Sequence, residues 1–336
     1  MIRISRSLQK PTTSFKAAFT MSTTSTAPLA ESSRTVVKSV YAQEVAEGVG
    51  ATVRRSLGSG QLRNLSPFLM LDQFKASRGS GFPDHPHRGQ STITYVLQGY
   101  IQHEDFVGNT GFLGPGDVQW MTAGRGIMHS EMPYWDPDPE KAVDPEGLQL
   151  WVDLPADKKF IEPSYQEKKA KDITTIDPKP GVQITIISGE SHGATGFVRP
   201  VGGCWYFDFR LSEPGAEVFQ PIPEGWTSFV YLIDGPLQLE SSDKVYTKHH
   251  TLVLSSSPSQ TGVLLRRPAS AGPDEPTTRF ILVAGQPLDQ EVRQMGPFVL
   301  NTERQVREAI MDFRMGRNGF ERAPGWKSEI GKAMLE

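Results

Sequence analysis

Two short motifs carry residue types that can hold a metal ion. His85 and His87 flank a single proline, and His129 and Glu131 flank a single serine. In extended backbone, side chains at i and i+2 leave from the same face, so each pair can aim its donors at one point. Two such pairs on neighbouring strands of a barrel would bring three imidazoles and one carboxylate together inside it. That donor set suits iron, manganese, copper, nickel or zinc and makes a poor cage for calcium or magnesium. Four ligands leave an octahedral ion two open positions, room for a substrate and dioxygen. One H-x-H alone is a weak signal, because paired histidines on a strand often only hydrogen-bond at the surface.

The elements that must position these residues are visible in a self-match. HPHRGQSTITYVLQG (85–99) aligns without a gap on PIPEGWTSFVYLIDG (221–235), so that Gly89 meets Gly225, Tyr95 meets Tyr231 and Gly99 meets Gly235. Each copy reads as an apolar strand, Ile93–Leu97 or Phe229–Ile233, closed by a glycine turn. A second short strand follows in each, Val118–Met121 and Leu252–Leu254. Two copies a domain apart predict a duplicated β-domain, a sandwich or jelly-roll barrel. The second copy has Pro221 and Pro223 where the first has His85 and His87, and no histidine follows His250. One half reads as a metal site and the other as its emptied twin.

Composition bounds the rest. A chain of 336 residues favours two domains. A net charge of -3 offers no basic face for nucleic acid, and no apolar run approaches the ~18–20 residues of a membrane span. Neither nucleic-acid binding nor a membrane anchor is expected. The single cysteine, Cys204, rules out an internal disulfide; its apolar and aromatic neighbours read as those of a buried, inert thiol. Residues 1–34 read as a leader. No acid precedes Glu31, while Arg3, Arg6, Lys10 and Lys16 are spread among hydroxyl and apolar residues. That is the make-up of a mitochondrial transit peptide and equally of an unstructured tail; a start at Met21 would remove most of the basic residues and point to cytoplasm and nucleus. The expected plan is a metal-binding domain at 35–157, a solvated linker at 158–182, a second domain at 183–300, and a helix with its tail at 301–336. Asn301 or Thr302 would cap that helix, whose apolar stripe of Val306, Ala309, Ile310 and Phe313 should pack on a barrel.

The blocks HPHRGQSTITYVLQG, HEDFVGNTGFLGPGDVQWMTAGRGIMHSEMP (103–133), GLQLWVDLP (147–155), QPIPEGWTSFVY (220–231), VAGQPL (283–288) and GPFVLNT (296–302) closely resemble the pirin family, over nearly all of the chain from residue 35 onward. The resemblance implies an all-β fold of two tandem cupin jelly-roll barrels with a short C-terminal helix. It also implies one Fe(II) per chain, held only in the first barrel by His85, His87, His129 and Glu131. The glutamate common after H-x-H in cupins is absent, Ser91 and Thr92 standing there, so Glu131 must supply the carboxylate alone and is the candidate proton acceptor. Gly116, Thr122 and Gly124 resemble the second cupin motif, with Thr122 where proline is usual.

Two functions follow from the resemblance. One is a quercetinase-like dioxygenase that opens a flavonol ring with O2. The other is a redox-sensing transcription cofactor in which the iron's oxidation state alters a surface that binds a regulator protein. A monomer is expected in either case. Of the remaining tempting residues, His103 reads as pocket-lining or as a surface turn, and Arg88 and Arg125 as loop supports. His249 and His250 read as solvated, and Trp120 and Met121 as barrel lining with alternate ones facing in.

Overall fold

The computed structural model describes residues 30–332 apart from Ser241 and Pro273. Of the leader read at 1–34, residues 1–29 lie outside the described residues, and the reading does not hold at its end: Arg34 is buried and donates to Trp226 O, Ser228 Oγ and Pro223 O. Among these residues the strands build two barrels on one plan. In the first, a seven-stranded antiparallel sheet runs in the order Ser164–Lys168, Val118–Thr122, Gln90–Gln98, Glu146–Asp153, Phe68–Lys75, Ala51–Arg55 and Gln43–Glu47. A four-stranded sheet of Phe82–His87, Ile127–Tyr134, Tyr100–Asp105 and Thr110–Leu113 completes it. The second barrel repeats this with seven strands, from Val36–Tyr41 at one edge through His250–Leu254, Thr227–Asp234 and Thr278–Gly285 to Cys204–Leu211, Val182–Ser188 and Thr174–Lys179. Its four-stranded sheet is Glu217–Pro221, Gly262–Arg266, Leu237–Leu239 and Val245–Tyr246. This is a two-barrel, mostly β architecture with one short C-terminal helix, Glu303–Met315.

The period of two along each strand assigns the two faces of the large sheets. Ile93 and Tyr95 of the first barrel, and Phe229 and Tyr231 of the second, share one core between the barrels with Leu148, Leu150, Ile281 and Val283. The alternate residues face inward, and there the twins differ. The second barrel is filled by an apolar cluster that includes Val230, Leu232, Phe207, Phe209 and Phe280. At the positions matching Val230 and Leu232 the first barrel has Thr94 and Val96, and its own apolar cluster is small: Val53, Phe74, Val96, Ile101 and Leu113. One barrel is filled with apolar side chains; the other keeps a cavity.

Sheet membership departs from the expected domain limits. Val36–Tyr41 hydrogen-bonds along His250–Leu254 and so joins the second barrel's sheet instead of the first. The charged stretch 158–182 is more than a solvated linker: Ser164–Lys168 pairs with Val118–Thr122, and Thr174–Lys179 with Val182–Ser188. Both are edge strands. An edge tolerates charged residues on its open side, and that composition hides the strand from a reading based on polarity.

Trp120 lies in the core between the barrels, while Met121, on the same face as Thr92, looks inward to a cluster of Phe106, Ile127, Phe298, Leu300 and Phe320. The helix closes that cluster with Val306 and Ala309. Thr302 caps it, its hydroxyl accepting from Gln305 N while the Gln305 side chain returns to the cap. Gly316 ends it in the left-handed region at φ 61°.

Candidate metal centre

His85 and His87 stand on the strand Phe82–His87, and His129 and Glu131 on its antiparallel neighbour Ile127–Tyr134, with His129 directly opposite His85. One ligand nitrogen from each of His85, His87 and His129 lies within 4.8 Å of the other two. The Nε2 atoms of His85 and His129 are 3.0 Å apart. His87 and His129 are each about 1% exposed. Burial, and then the charge of neighbouring imidazoles, pushes both rings well below the usual histidine range, so at neutral pH they are uncharged and keep a lone pair to give. A metal suits such a set: three imidazoles offer nitrogens to one point, and buried His129 Nδ1, Gln90 Oε1 and Gln149 Oε1 lack hydrogen-bond partners that an ordered, loaded site would assign.

Glu131 is placed differently from its three companions. It is buried and lines the same cavity but is not one of the 4.8 Å group. Its Oε1 accepts from Thr94 Oγ1 at 2.7 Å, and its Oε2 accepts from Gln149 Nε2 at 3.1 Å. The strand slips register against Phe82–His87 between His129 and Glu131. A regular i, i+2 argument does not see such a slip.

The cavity measures about 480 Å³, the size of a small-molecule site. Val53, Phe74, Phe82 and Ile101 give it apolar walls, and Trp151 meets the His87 ring edge-on with centroids 5.1 Å apart. On its wall Arg55 holds Asp72 through two hydrogen bonds, 2.8 and 2.6 Å, and reaches Glu47 at 2.6 Å. Burial pushes the Asp72 carboxyl up to about 6 against the pull of Arg55. Gln294, Gly296 and Pro297, from a hairpin beyond the second barrel, form part of the rim.

The remaining candidates separate cleanly. His103 is buried on the strand Tyr100–Asp105, opposite Glu131, and its Nε2 pairs with Glu167 Oε2 at 2.8 Å, so it is no surface turn. Arg88 is a loop support as read: it bonds Asp312, Arg125 O and Asn318 O and lies over the Phe320 ring. Arg125 pairs at the surface with Glu162 and Glu321. His249 corrects the solvated reading, because its left-handed backbone (φ 66°) sets Nδ1 3.2 Å from Gln73 Oε1 between the barrels. His250 stays at the surface edge, bonded to Thr247 O. Sequence reasoning passed over Gln90, Thr94, Gln149 and Trp151. Thr94 was detectable, since the self-match sets it against Val230 and so marks a polar position on the inner face.

The comparisons with known proteins agree with this architecture. The model of the Pirin family matches residues 50–152, and that of the Pirin C-terminal cupin domain matches residues 206–319. The chain is 48% identical to Pirin of Homo sapiens over 306 residues, 89% of this chain and 99% of that one. It is also 48% identical to a Pirin-like protein of Solanum lycopersicum, over 88% of this chain and 97% of the relative. Among solved structures, a quercetin 2,3-dioxygenase from Acinetobacter baumannii superposes with a TM-score of 0.74 at 30% identity, covering 84% of this chain and 98% of its own. A bacterial pirin from Escherichia coli, crystallised with nickel(II), shares the fold with a TM-score of 0.58 at 17% identity, over 75% of this chain and 99% of its own.

Proposed function

This chain belongs to the pirin family, and from that premise we propose that its first barrel is a metal-dependent dioxygenase site for a flavonol-like aromatic substrate, with iron as the metal. The observation that carries the reading is the convergence of three imidazoles at a cavity of about 480 Å³, lined by His85 and His87, in a barrel whose twin is filled with apolar side chains. The structural likeness to a quercetin 2,3-dioxygenase supports the choice of substrate class.

In this reading His85, His87 and His129 hold the ion, with Glu131 the carboxylate of the set. A bound iron would supply the redox-active, Lewis-acidic centre that ring cleavage by dioxygen requires. The protein's own part is positioning and proton handling. Val53, Phe74, Phe82 and Ile101 bury the flat faces of an aromatic ligand and exclude water. Thr94 and Gln149 each donate to Glu131 and hold its carboxylate toward the cavity as an acceptor for a substrate hydroxyl proton. Asp72, clamped by Arg55, offers a second acceptor to a phenolic hydroxyl.

Metal analysis of purified protein beside His87→Ala, followed by oxygen uptake with quercetin, tests this. About one iron per chain, lost in the variant, together with oxygen consumption is the expected result. Iron without oxygen uptake across several flavonols overturns the enzyme and leaves the site to the redox-sensing cofactor reading. No metal in either protein overturns the centre itself.

A further inference from the structure

We infer that Gln90 is a positioning residue for the metal: its side-chain oxygen accepts the Nδ1–H of His87 in the loaded protein and thereby turns the lone pair of His87 Nε2 toward the ion. The inference rests on the metal reading above and concerns a residue outside the four candidate ligands.

The Gln90 amide nitrogen lies 2.8 Å from His87 Nδ1. That contact occupies Nδ1, so Nε2 is the nitrogen left to join His85 and His129. A neutral imidazole carries one proton, and an amide NH2 can only donate. With the amide nitrogen against Nδ1, the ring proton must therefore sit on Nε2, where it blocks coordination. Turning the amide over exchanges its nitrogen for its oxygen. The oxygen can only accept, which draws the proton to Nδ1 and frees Nε2. Gln90 Oε1 is buried and has no hydrogen-bond partner, so the exchange breaks no bond at the oxygen.

The side chain cannot simply swing away. Gln90 is 0% exposed, its carbonyl accepts from Ala123 N, and its backbone pairs with Asp153 on the neighbouring strand. The pair is also confined to the barrel with the cavity, since the self-match puts Pro223 at the place of His87 and Trp226 at that of Gln90. His85 needs no such partner. Its Nδ1 lies 2.8 Å from Pro83 O, a main-chain acceptor that already holds the proton on Nδ1 and leaves Nε2 free. At His87 a side chain does what the main chain does at His85, so this ligand state can be changed by substitution.

Competition of Co(II) against a chromogenic chelator, with wild type, Gln90→Leu and Gln90→Glu, tests the assignment. Outer partners of metal-bound histidine are worth about 10–100-fold in affinity, so Gln90→Leu should weaken Co(II) binding by that factor. Gln90→Glu, which can only accept, should bind at least as tightly as wild type. A leucine variant within about twofold of wild type, or a glutamate variant weaker than wild type, overturns the assignment. If the leucine variant fails to fold, nitrogen-15 spectra of the wild-type histidine rings decide: the Zn(II)-loaded protein should carry the His87 proton on Nδ1, and a proton on Nε2 overturns it. Wild type that takes up no Co(II) overturns the metal centre and this inference with it, whereas a wild type that binds and variants that match it overturn only the role of Gln90.

Discussion

Tyr95 and Tyr231 occupy matching positions in the two barrels, and each gives its hydroxyl proton to the other barrel. Tyr95 donates to Asp208 Oδ2 at 2.8 Å, and Tyr231 donates to Gln73 Oε1 at 2.6 Å. The acceptors match as well. Gln73 lies opposite Leu148, which lies opposite Tyr95; Asp208 lies opposite Ile281, which lies opposite Tyr231. The internal duplication therefore returns as a reciprocal exchange across the shared core, and it binds the cavity-bearing barrel to its packed twin.

The two exchanges should differ in strength. Asp208 is buried and ion-paired with Arg279 at 2.8 Å, so Tyr95 donates to a charged group, whereas Gln73 is neutral. Hydrogen bonds to charged groups contribute about 1.5–3 kcal/mol and neutral ones about 0.5–1.5 kcal/mol. Tyr95→Phe should lower the stability measured by urea unfolding more than Tyr231→Phe does. The reverse order would show that the carboxylate is adequately held by Arg279 alone.

Lys159 should be among the most sensitive positions outside the centre. Its ammonium is fully buried and meets three acceptors: Asp153 Oδ1 at 2.6 Å, Val299 O at 2.9 Å and Gly89 O at 3.0 Å. Lys159→Met strands a buried carboxylate and should cost about 3–5 kcal/mol. Replacing Asp153 with leucine in the same chain should recover part of that loss. A single variant as stable as wild type in urea would contradict the role of this clamp.

Gly89 stands against the hairpin at the cavity rim, next to Arg88, whose main chain bonds Pro297 O and Val299 N. It sits at φ 83°, and a Cβ there would stand 2.0 Å from Val299 O. The left-handed backbone and the main-chain collision act together, so Gly89→Ala should lower the melting temperature and release the metal in the same step. Normal metal content in a stable Gly89→Ala protein would show that the rim can move without disturbing the histidines.

The pH dependence of the metal-free protein follows from its buried groups. His87 and His129 lie well below their ordinary 6.5, chiefly through burial. The unfolded chain takes up protons near that pH which the folded chain refuses, so stability is intact above pH 6.5 and falls below it. Each ring removes up to about 1.4 kcal/mol per pH unit. Asp72 acts in the opposite sense: with its carboxyl raised from 3.8 to about 6, the folded state gains the proton first and stability rises over that interval as pH falls. Two imidazoles outweigh one carboxyl, so the melting temperature should fall steadily below pH 6.5. A melting temperature that is flat or rises there would mean that the rings take up protons in the folded state.

Much of the centre was legible because its signals are local. The i, i+2 spacing of His85 and His87 needs only extended backbone, and the turn glycines Gly99 and Gly235 both take the positive φ, 67° and 71°, that the self-match implied. Glu131 shows where local reasoning stops. Its spacing from His129 was correct for a strand, but the register slip and the donors Thr94 and Gln149 come from other strands.

The sequence by itself determined the duplication, the three histidines that could donate to a metal and the prolines that stand for two of them in the second copy, since these depend on residue type and on the short-range geometry of strands and turns. Tertiary structure alone decided that Val36–Tyr41 crosses to the second barrel, that the charged segment 158–182 feeds both sheets, and that Gln90 stands against His87. It also decided that one barrel is hollow and the other packed. The physical reason is that each of these depends on which faces meet when sheets close on one another. Residues such as Tyr95 and Asp208, 113 apart in the chain, come into contact only once both barrels exist.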